Sequence, residues 1–271
     1  MSTSPHQCDL SQPSSARIYD YLLGGDNNSA ADRHTAADLL AIAPWLPHMI
    51  SMNRSFMWRA LTHMLEAGID QFLDLGSGIP TVGNVHEIAR RRLPAARVVY
   101  VDREPVTYHH ARQLLTGDPL ATAVLADARH SHQILHHPET RRLIDFRRPV
   151  GLLMVALTPF LSDDDAPGQL IRTYRQHLAP ASLLAVSQAT DEDAPPRLRA
   201  QLARLLDAYT AASGEGIYLR GRDEIAKWLE GMILLDPGIT RLTDWQAVDD
   251  SEQDNPARLL GYGALAQQPP G

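Results

Sequence analysis

The stretch Phe72-Leu73-Asp74-Leu75-Gly76-Ser77-Gly78 decides the fold of this chain. Residues 71–75 form a short apolar run with one carboxylate, which is typical of a strand buried on both faces. At the two glycines of the following Gly-Ser-Gly, the backbone can turn tightly and approach a ligand, because no Cβ atom stands in the way. The segment after residue 81 has helical spacing. Strand, glycine turn and helix together predict the first unit of a nucleotide-binding α/β sheet.

The spacing of the glycines indicates which nucleotide the turn favours. Dinucleotide-binding turns follow the pattern G-x-G-x-x-G and place the pyrophosphate at a helix N-terminus. Here the third glycine is Gly83, five positions after Gly78 instead of three. Asp74, just before the turn, would repel a pyrophosphate and attract an amine. An NAD-type oxidoreductase is therefore the less favoured interpretation.

A second carboxylate belongs one strand further along the chain. In nucleotide-binding sheets an acidic residue about twenty positions on, at the end of the next strand, binds the ribose hydroxyls. In the expected strand 97–102, the apolar run 98–101 is followed by Asp102, which meets this expectation. An amine site and a ribose site without a phosphate site match S-adenosylmethionine, so the sequence favours this cofactor.

Composition excludes several classes of protein. The 271 residues, 44% hydrophobic and 21% charged, suffice for one large α/β domain with additions. The formal net charge of -7 offers no basic field for nucleic acid, so we expect a small-molecule substrate and no nucleic-acid partner. A single cysteine, Cys8, excludes an internal disulfide and a cysteine-based metal site. No apolar run approaches membrane-spanning length and residues 1–15 lack an apolar signal segment, so we expect a cytoplasmic protein without membrane contact.

The N-terminal segment suggests a cover for the ligand. Residues 1–13, rich in Ser, Gln and Pro, predict a disordered tail. A capped helix should begin near residue 14 and end at Gly24-Gly25, with further helices at 30–42 and 47–67. A capped helix followed by a surface turn would explain this pattern. The crowding of polar side chains instead favours a helical lid over residues 14–68; these side chains belong to Arg17, Tyr19, Tyr21 and Asn27.

Strands and helices alternate through the rest of the chain. We therefore expect a doubly wound α/β sheet of seven strands over residues 69–266, followed by a loose C-terminus at 267–271. The expected strands are 71–75, 97–102, 123–126, 150–157, 182–188, 232–235 and 259–266, and the main later helices are 167–178, 194–212 and 222–230.

Several motifs together resemble one family. They are Ser-Ala-Arg-Ile-Tyr-Asp-Tyr-Leu-Leu-Gly-Gly at 15–25, Asn-Arg-Ser-Phe at 53–56, the glycine turn with its flanks at 68–81, and Asn-Val-His-Glu at 84–87, with further matches at 99–102, 126–127, 163–164, 222–225 and 231–238. Over residues 14–266 the chain resembles the actinobacterial-type S-adenosylmethionine-dependent methyltransferases, long catalogued as a domain of unknown function. The resemblance implies a class I methyltransferase (Rossmann-like) fold that uses S-adenosylmethionine and releases S-adenosylhomocysteine.

The resemblance also implies roles for individual residues. Asp74 and the backbone of Gly76, Ser77 and Gly78 would hold the methionine amine. Asp102 would bind the ribose, with Arg103 beside the adenine. Asp127, after the third strand, would accept from the adenine amino group, and the amide of Ala128 would face the ring. Arg17 and Tyr19 would contact the methionine carboxylate and form part of the lid.

This chain departs from the family pattern at positions that are expected to line the pocket for the methyl acceptor. The C-terminal end of strand 150–157 should face the methyl group, so Thr158, Pro159 and Phe160 are expected to line the substrate pocket, together with Asn27 and Gln188. Members of the family often have histidine at the position of Pro159, and they commonly have histidine at the position of Gln188. The sequence therefore predicts that either the substrate or the chemistry differs from that of typical members.

Methyl transfer requires alignment of the reactants and exclusion of water, and a base only if the nucleophile is not already ionised. The candidate bases are His86, Tyr19 and Tyr21. Two functions stay open: a methyltransferase acting on a small molecule such as a natural product, and a cofactor-binding protein without methyl transfer, either a regulator or an enzyme that uses the sulfonium electrostatically. The oligomeric state is also open, with a homodimer as one option.

Histidine-rich segments raise the question of a metal site. His109 and His110 have no carboxylate or cysteine at ligand spacing. The set His130, His132, His136 and His137 lies in a polar stretch suited to a surface helix and loop, without acidic or cysteine ligands at the right places. We therefore expect no metal.

Overall fold

The computed structural model describes residues 10–79, 83–247 and 254–270. Within these ranges the strands are β1 (Gln71–Leu75), β2 (Arg97–Asp102), β3 (Ala121–Leu125), β4 (Gly151–Met154), β5 (Leu183–Ala189), β6 (Ile233–Leu234), β7 (Thr240–Arg241) and β8 (Gly261–Gln267). The α-helices are α1 (Ser15–Leu22), α2 (Ala30–Ile42), α3 (Leu46–Glu66), α4 (Val85–Arg92), α5 (Pro105–Leu114), α6 (Ser131–Leu135), α7 (Pro138–Leu143), α8 (Pro167–Arg175), α9 (Pro196–Ser213) and α10 (Arg222–Trp228). Two 3-10 turns lie at Thr158–Phe160 and Pro256–Leu260.

All of these strands belong to one sheet, in the order β3-β2-β1-β4-β5-β8-β6. Strands β1 to β5 are parallel, and β8 runs antiparallel to β5. The chain order reverses between β1 and β4, and ligands of open α/β sheets bind at the carboxyl ends of the strands at such a point. Asp74 of β1 lies at this position, beside Tyr100 of β2 and Leu153 of β4.

The prediction of seven strands is confirmed along the main path of the sheet, and the structure adds a short eighth strand. Ile233 of β6 pairs with Gln267, and Arg241 of β7 pairs with Tyr262, both in β8. Since β5 occupies the other edge of β8, β6 and β7 share the seventh position as one interrupted strand. The interruption contains the Asp-Pro-Gly turn at 236–238, where proline has no N–H to donate to a ladder.

Helices cover both faces of the sheet, which confirms the doubly wound fold. Successive strand residues point to opposite faces, so Phe72 and Val98 belong to one apolar cluster while Leu73 and Val99 belong to the other. The first cluster includes residues of α2, α3, α4, α5 and α9, and the second includes residues of α6, α7, α8 and α10. This alternation directs the side chain of Asp74 to the face covered by α3.

The N-terminal helices form where the sequence predicts them. The Ser14 hydroxyl caps α1 by accepting from the Arg17 N–H, and Ser29 and Asp32 form a reciprocal capping box at α2. Helix α3 packs directly on the sheet. Its Phe56 ring lies so close to Gly263 of β8 that a Cβ atom added to this glycine would be only 2.7 Å from the ring. Helix α3 is therefore part of the core layer, and α1 is the helix that reaches over the cleft described below.

Two expectations need correction, for the end of the fourth strand and for the C-terminus. A third expectation, the N-terminal tail, falls mostly on residues that the structure does not describe. The fourth strand ends at Met154 rather than 157, because Ala156 adopts a left-handed conformation with φ 58°. The C-terminus is not loose at Gln267 and Gln268: Gln267 is paired in β8, and Gln268 N–H donates to Ser182 O at 2.8 Å. Most of the expected tail, residues 1–9, lies outside the described residues.

Candidate functional site

The carboxyl ends of β1, β2, β3 and β4 open into one cleft beneath α1 and α3. The empty space in the cleft is about 1170 Å³, open solvent at its mouth included. The cleft brings together most of the cofactor residues that the sequence predicts: Tyr19, Asp74, Gly76, Ser77, Gly78, Asp102, Arg103, Asp127 and Ala128.

The glycine turn has the geometry that only glycine adopts without strain. Gly76 and Gly78 have φ of +69° and +64°, and a Cβ on Gly76 would lie 2.9 Å from Leu157 Cδ1. The N–H groups of Gly76 and Ser77 both donate to Val101 O, at 2.9 and 3.1 Å. These bonds fix the turn against the end of β2.

Asp74 is a buried carboxylate in the floor of the cleft, 7% exposed. Burial raises its pKa to about 7; the Arg54 guanidinium opposes the rise and the Asp102 carboxylate adds to it. The cleft is therefore set up to receive a cation beside Asp74, since a cation would restore the ordinary acidity of this carboxyl.

Asp102 is held in place by the backbone on both sides. Its Oδ2 accepts from the Gly78 N–H at 2.9 Å, and its Oδ1 accepts from the Glu104 N–H at 2.9 Å. Burial raises the pKa of Asp102, and these hydrogen bonds oppose the rise. Each carboxylate oxygen retains acceptor capacity, so ligand hydroxyls can bind to a carboxylate that is already oriented.

The Asp127 carboxylate pairs with Arg129, a residue to which the sequence assigned no role. Arg129 donates from Nε to Asp127 Oδ1 at 2.9 Å and from Nη2 to Oδ2 at 2.5 Å, and also pairs with Asp165 at 3.1 Å. Burial alone would raise the pKa of Asp127, but the hydrogen bonds from Arg129 outweigh it and hold the pKa below its ordinary value. A ligand amino group at Asp127 would have to share this carboxylate with Arg129.

Arg17 does not line the cleft, in contrast to Tyr19. Its side chain is 3% exposed, and Nε donates to Asp32 Oδ2 at 2.6 Å, which links α1 to the start of α2. The cationic side chain that reaches the cleft near Asp74 is Arg54 of α3. The sequence motif Asn-Arg-Ser-Phe at 53–56 contains Arg54, but the spacing of residues along the chain did not indicate that this arginine reaches the cleft.

The three candidate bases are separated by the fold. Tyr19 lines the cleft and accepts from Asn53 Nδ2 at 3.2 Å, but burial raises its pKa, so its hydroxyl stays protonated at neutral pH. His86 Nδ1 lies 2.7 Å from the Tyr100 hydroxyl, and His86 is not among the residues that line the cleft. Tyr21 packs against the apolar cluster and does not line the cleft either.

A second, apolar chamber adjoins the cleft. Of the five predicted substrate-pocket residues, Pro159, Phe160 and Gln188 line this chamber. Thr158 is fully buried and donates to Ser187 O at 2.8 Å, and the Asn27 N–H donates to Asp20 Oδ2 at 2.8 Å. Neither Thr158 nor Asn27 is among the residues that line the chamber.

Long-range hydrogen bonds hold α1 over the cleft. Glu215, after α9, accepts from the Ser15 hydroxyl and from Arg103 Nη2. Ser14 donates to Glu104 Oε2 at 2.5 Å. Glu215 lies 112 positions from Arg103 in sequence, so no local pattern could have identified this contact.

Two features concern membranes and metals. Among the residues that the structure describes, no helix is both long and apolar enough to cross a bilayer, and no group of histidine, cysteine or acidic residues is arranged to hold a metal ion. The rings of His132 and His136 stack with their centroids 4.1 Å apart on the short helix α6 and its end.

Comparisons with known proteins place the chain in a family. The sequence profile described as S-adenosyl methyltransferase matches residues 1–269. A DUF574 family protein from Streptomyces avermitilis MA-4680 is 36% identical with a TM-score of 0.90, over 97% of this chain and 100% of that one. A candidate methyltransferase from Thermobifida fusca YX is 36% identical with a TM-score of 0.89, over 99% and 100% of the two chains. No curated protein matches significantly.

A more distant structure shares the fold alone. The 1,6-didemethyltoxoflavin N1-methyltransferase of Burkholderia thailandensis, solved with that compound and S-adenosylhomocysteine, is 15% identical with a TM-score of 0.51, over 87% of this chain and 90% of its own. The profile matches nearly the whole chain, and the two structures that are 36% identical share its fold. The chain therefore belongs to the S-adenosyl methyltransferase family and has the class I methyltransferase fold.

Proposed function

We propose that this protein is an S-adenosylmethionine-dependent methyltransferase that acts on a small-molecule acceptor. The observation that carries the proposal is the pair of carboxylates that line the cleft beside the bend at Gly76–Gly78: Asp74, which is buried, and Asp102, which is half-buried. An amino acid ammonium suits the first carboxylate and ribose hydroxyls suit the second. In the sequence the third glycine, Gly83, comes five positions after Gly78, which differs from the three-glycine helix start that a pyrophosphate prefers.

The donors and acceptors of the cleft fit the cofactor from end to end. Asp74 would hold the methionine ammonium, helped by backbone carbonyls of the turn, because an ammonium only donates hydrogen bonds and both of these groups accept them. Asp102 would hold the ribose. At the far end Asp127 and Ala128, with Arg103 nearby, would surround the adenine.

For the methionine carboxylate we propose Arg54 in place of Arg17. The ammonium and carboxylate of an amino acid share one carbon, so their binding groups must lie near each other. Arg54 interacts electrostatically with Asp74, whereas Arg17 is committed to Asp32.

When bound, the cofactor supplies an electrophilic methyl group. The chain's own part is to align the acceptor and to keep water out, for which α1 acts as a cover. Tyr19 and Asn53 line both the cleft and the apolar chamber, so they stand where acceptor and methyl group would meet. Because the Tyr19 hydroxyl stays protonated, it would orient the acceptor and would not remove a proton from it.

Calorimetry tests the cofactor assignment directly. S-adenosylmethionine and S-adenosylhomocysteine should bind to the full chain with a stoichiometry of about one, and NAD should not. Binding of NAD alone would overturn the proposal. Methyl transfer is then followed with isotope-labelled cofactor and small-molecule extracts; binding of the cofactor with no label transferred to any extract would favour a non-transferring protein.

A further inference from the structure

The apolar chamber next to the cleft is assembled from elements that are far apart in the chain. Its lining residues include members of α1, α2, α3 and α9, of the 3-10 turn at Thr158–Phe160 and of β5. The empty space in it is about 950 Å³, open solvent included. The residues that line both the chamber and the cleft are Ser15, Tyr19, Asn53, Ala156 and Phe160. The two spaces therefore share a boundary, and a molecule in the chamber lies next to the proposed cofactor site.

Several apolar side chains of the chamber are only half-buried. They are Leu22, Met49, Phe160, Leu206, Ile217 and Leu219. Other lining side chains, such as Ile18, Leu202 and Leu205, are buried by the fold itself. A molecule that covers the half-buried group removes apolar surface from water, which favours binding of an apolar ligand.

Charge is absent from this wall. Among the described residues that line the chamber there is no aspartate, glutamate, lysine, arginine or histidine. The cleft differs in this respect, since Arg54, Asp74 and Glu104 are among its lining residues. A charged group that moved from water into the chamber would lose hydration without gaining a counter-ion, so the wall disfavours charge of either sign.

The polar side chains of the chamber fall into two groups. Ser15, Tyr19 and Asn53 also line the cleft, so they lie at the boundary. The others line the chamber alone, are buried, and each makes a hydrogen bond within the protein; they are Ser187, Gln188 and Tyr209. Polar contacts for a ligand are therefore concentrated at the boundary with the cleft, and the rest of the chamber offers mainly apolar surface.

We propose that the methyl acceptor is an uncharged molecule with an apolar ring or hydrocarbon body, which binds in this chamber with its reacting polar group at the boundary near Tyr19 and Asn53. The inference rests on the proposed methyltransferase function and deepens it by naming the class of acceptor. The apolar wall selects the body of the molecule, and the absence of a counter-ion rejects charged analogues of the same shape.

Three naphthalene probes that differ in charge test the proposal by titration at pH 7 into the full chain saturated with S-adenosylhomocysteine. Neutral 1-naphthol should bind at least about tenfold more tightly than the anion 1-naphthoate and the cation 1-naphthylmethylammonium, because only the charged probes lose hydration that the wall does not replace. Equal or tighter binding of either charged probe would overturn the proposal. So would the failure of naphthol to bind to the protein loaded with S-adenosylhomocysteine.

The location is tested by placing a charge in the wall. Leu206→Lys changes a half-buried lining residue of α9, and its ammonium should shift the affinity ratio of naphthoate to naphthol by about tenfold in favour of the anion. The matched control Leu114→Lys, at a position of α5 that is 50% exposed and outside the chamber, should keep the ratio of the natural sequence. An unchanged ratio in folded Leu206→Lys would overturn the chamber as the binding site.

The natural sequence alone keeps the proposal falsifiable if Leu206→Lys fails to fold, because the order of the three probes is measured without any variant. Failure of the proposed function gives a different result. If S-adenosylhomocysteine itself does not bind to the natural sequence, the methyltransferase assignment is wrong, whereas a bound cofactor product with the wrong order of probes contradicts only the class of acceptor.

Discussion

The backbone N–H of Gly78 lies 2.9 Å from Oδ2 of Asp102, so the glycine turn and the end of β2 are joined by a hydrogen bond before any ligand enters. The turn cannot move without disturbing the carboxylate, and the carboxylate cannot rotate without releasing the turn. A ligand that needs both therefore meets them in a fixed geometry, which reduces the entropy cost of binding.

Asp102→Ala should weaken S-adenosylhomocysteine binding by about 1–3 kcal/mol, because it removes charge-assisted hydrogen bonds to the ligand and the bond that holds Gly78. Calorimetry on the folded variant measures the change. Asp207→Ala, at an exposed position on α9, is the matched control and should bind normally. Equal affinities for the two variants would refute the ribose role of Asp102.

Binding of S-adenosylmethionine should depend on pH through Asp74. The pKa of about 7 in the free protein means that this carboxyl is mostly protonated below pH 7, whereas an ammonium requires it ionised. Affinity should therefore rise by up to tenfold per pH unit below pH 7, level off above it, and be accompanied by proton release below pH 7. Calorimetry in buffers of different ionisation enthalpy measures that release; its absence, or an unchanged slope in Asp74→Asn, would contradict the assignment.

The same residue should cost stability in the ligand-free protein. The pKa of Asp74 rises from 3.8 to about 7 on folding, so stability falls as pH rises through this interval and the full cost is present above pH 7. At pH 8 this amounts to roughly 4 kcal/mol. Asp74→Asn should thus be the more stable protein at pH 8 in urea denaturation, with the difference shrinking toward pH 4. A variant less stable than the natural sequence at pH 8 would show that Asp74 has a structural partner instead.

Gly76→Ala should destabilise the fold and weaken cofactor binding, because the new methyl group lies 2.9 Å from Leu157 at a backbone φ of +69°. Gly117→Ala separates the two causes. Gly117 also has positive φ, +80°, but a Cβ added there would meet no atom within 4 Å, so it should show only the backbone strain of about 1 kcal/mol. Thermal denaturation and titration are compared for both; identical losses in the two variants would exclude a role for the close approach at Leu157.

Glu215→Gln should loosen the cover over the cleft. It removes the charge that Arg103 and the Ser15 hydroxyl bind, so S-adenosylhomocysteine should dissociate faster, by up to about fivefold for contacts that are partly solvent-exposed. Stopped-flow displacement measures the rate. Glu139→Gln, which breaks a surface pair with Arg142 on α7, should leave it unchanged. An unaltered rate in Glu215→Gln would mean that α1 is held by its other contacts.

Local sequence predicted the elements that surround the cleft with little error. β1 and β2 have the predicted bounds, as does α2, because each is a short apolar or capped segment whose period is set by its own neighbours. Prediction failed where a local conformation depended on a distant contact. The strand after residue 150 stops early because Ala156 is left-handed and bonded to Ser187, 31 positions away.

The sequence by itself determined the nucleotide-binding unit: a buried strand, a glycine bend and carboxylates at fixed positions along the chain, all of which depend on backbone sterics and side-chain alternation. Only the tertiary structure decided which cations meet these carboxylates. It committed Arg17 to Asp32, brought Arg54 toward Asp74 and placed Arg129 on Asp127. It also enclosed Gln188 in an apolar wall. Partners of long charged side chains are chosen by packing between elements that are far apart in sequence, and no local pattern records that choice.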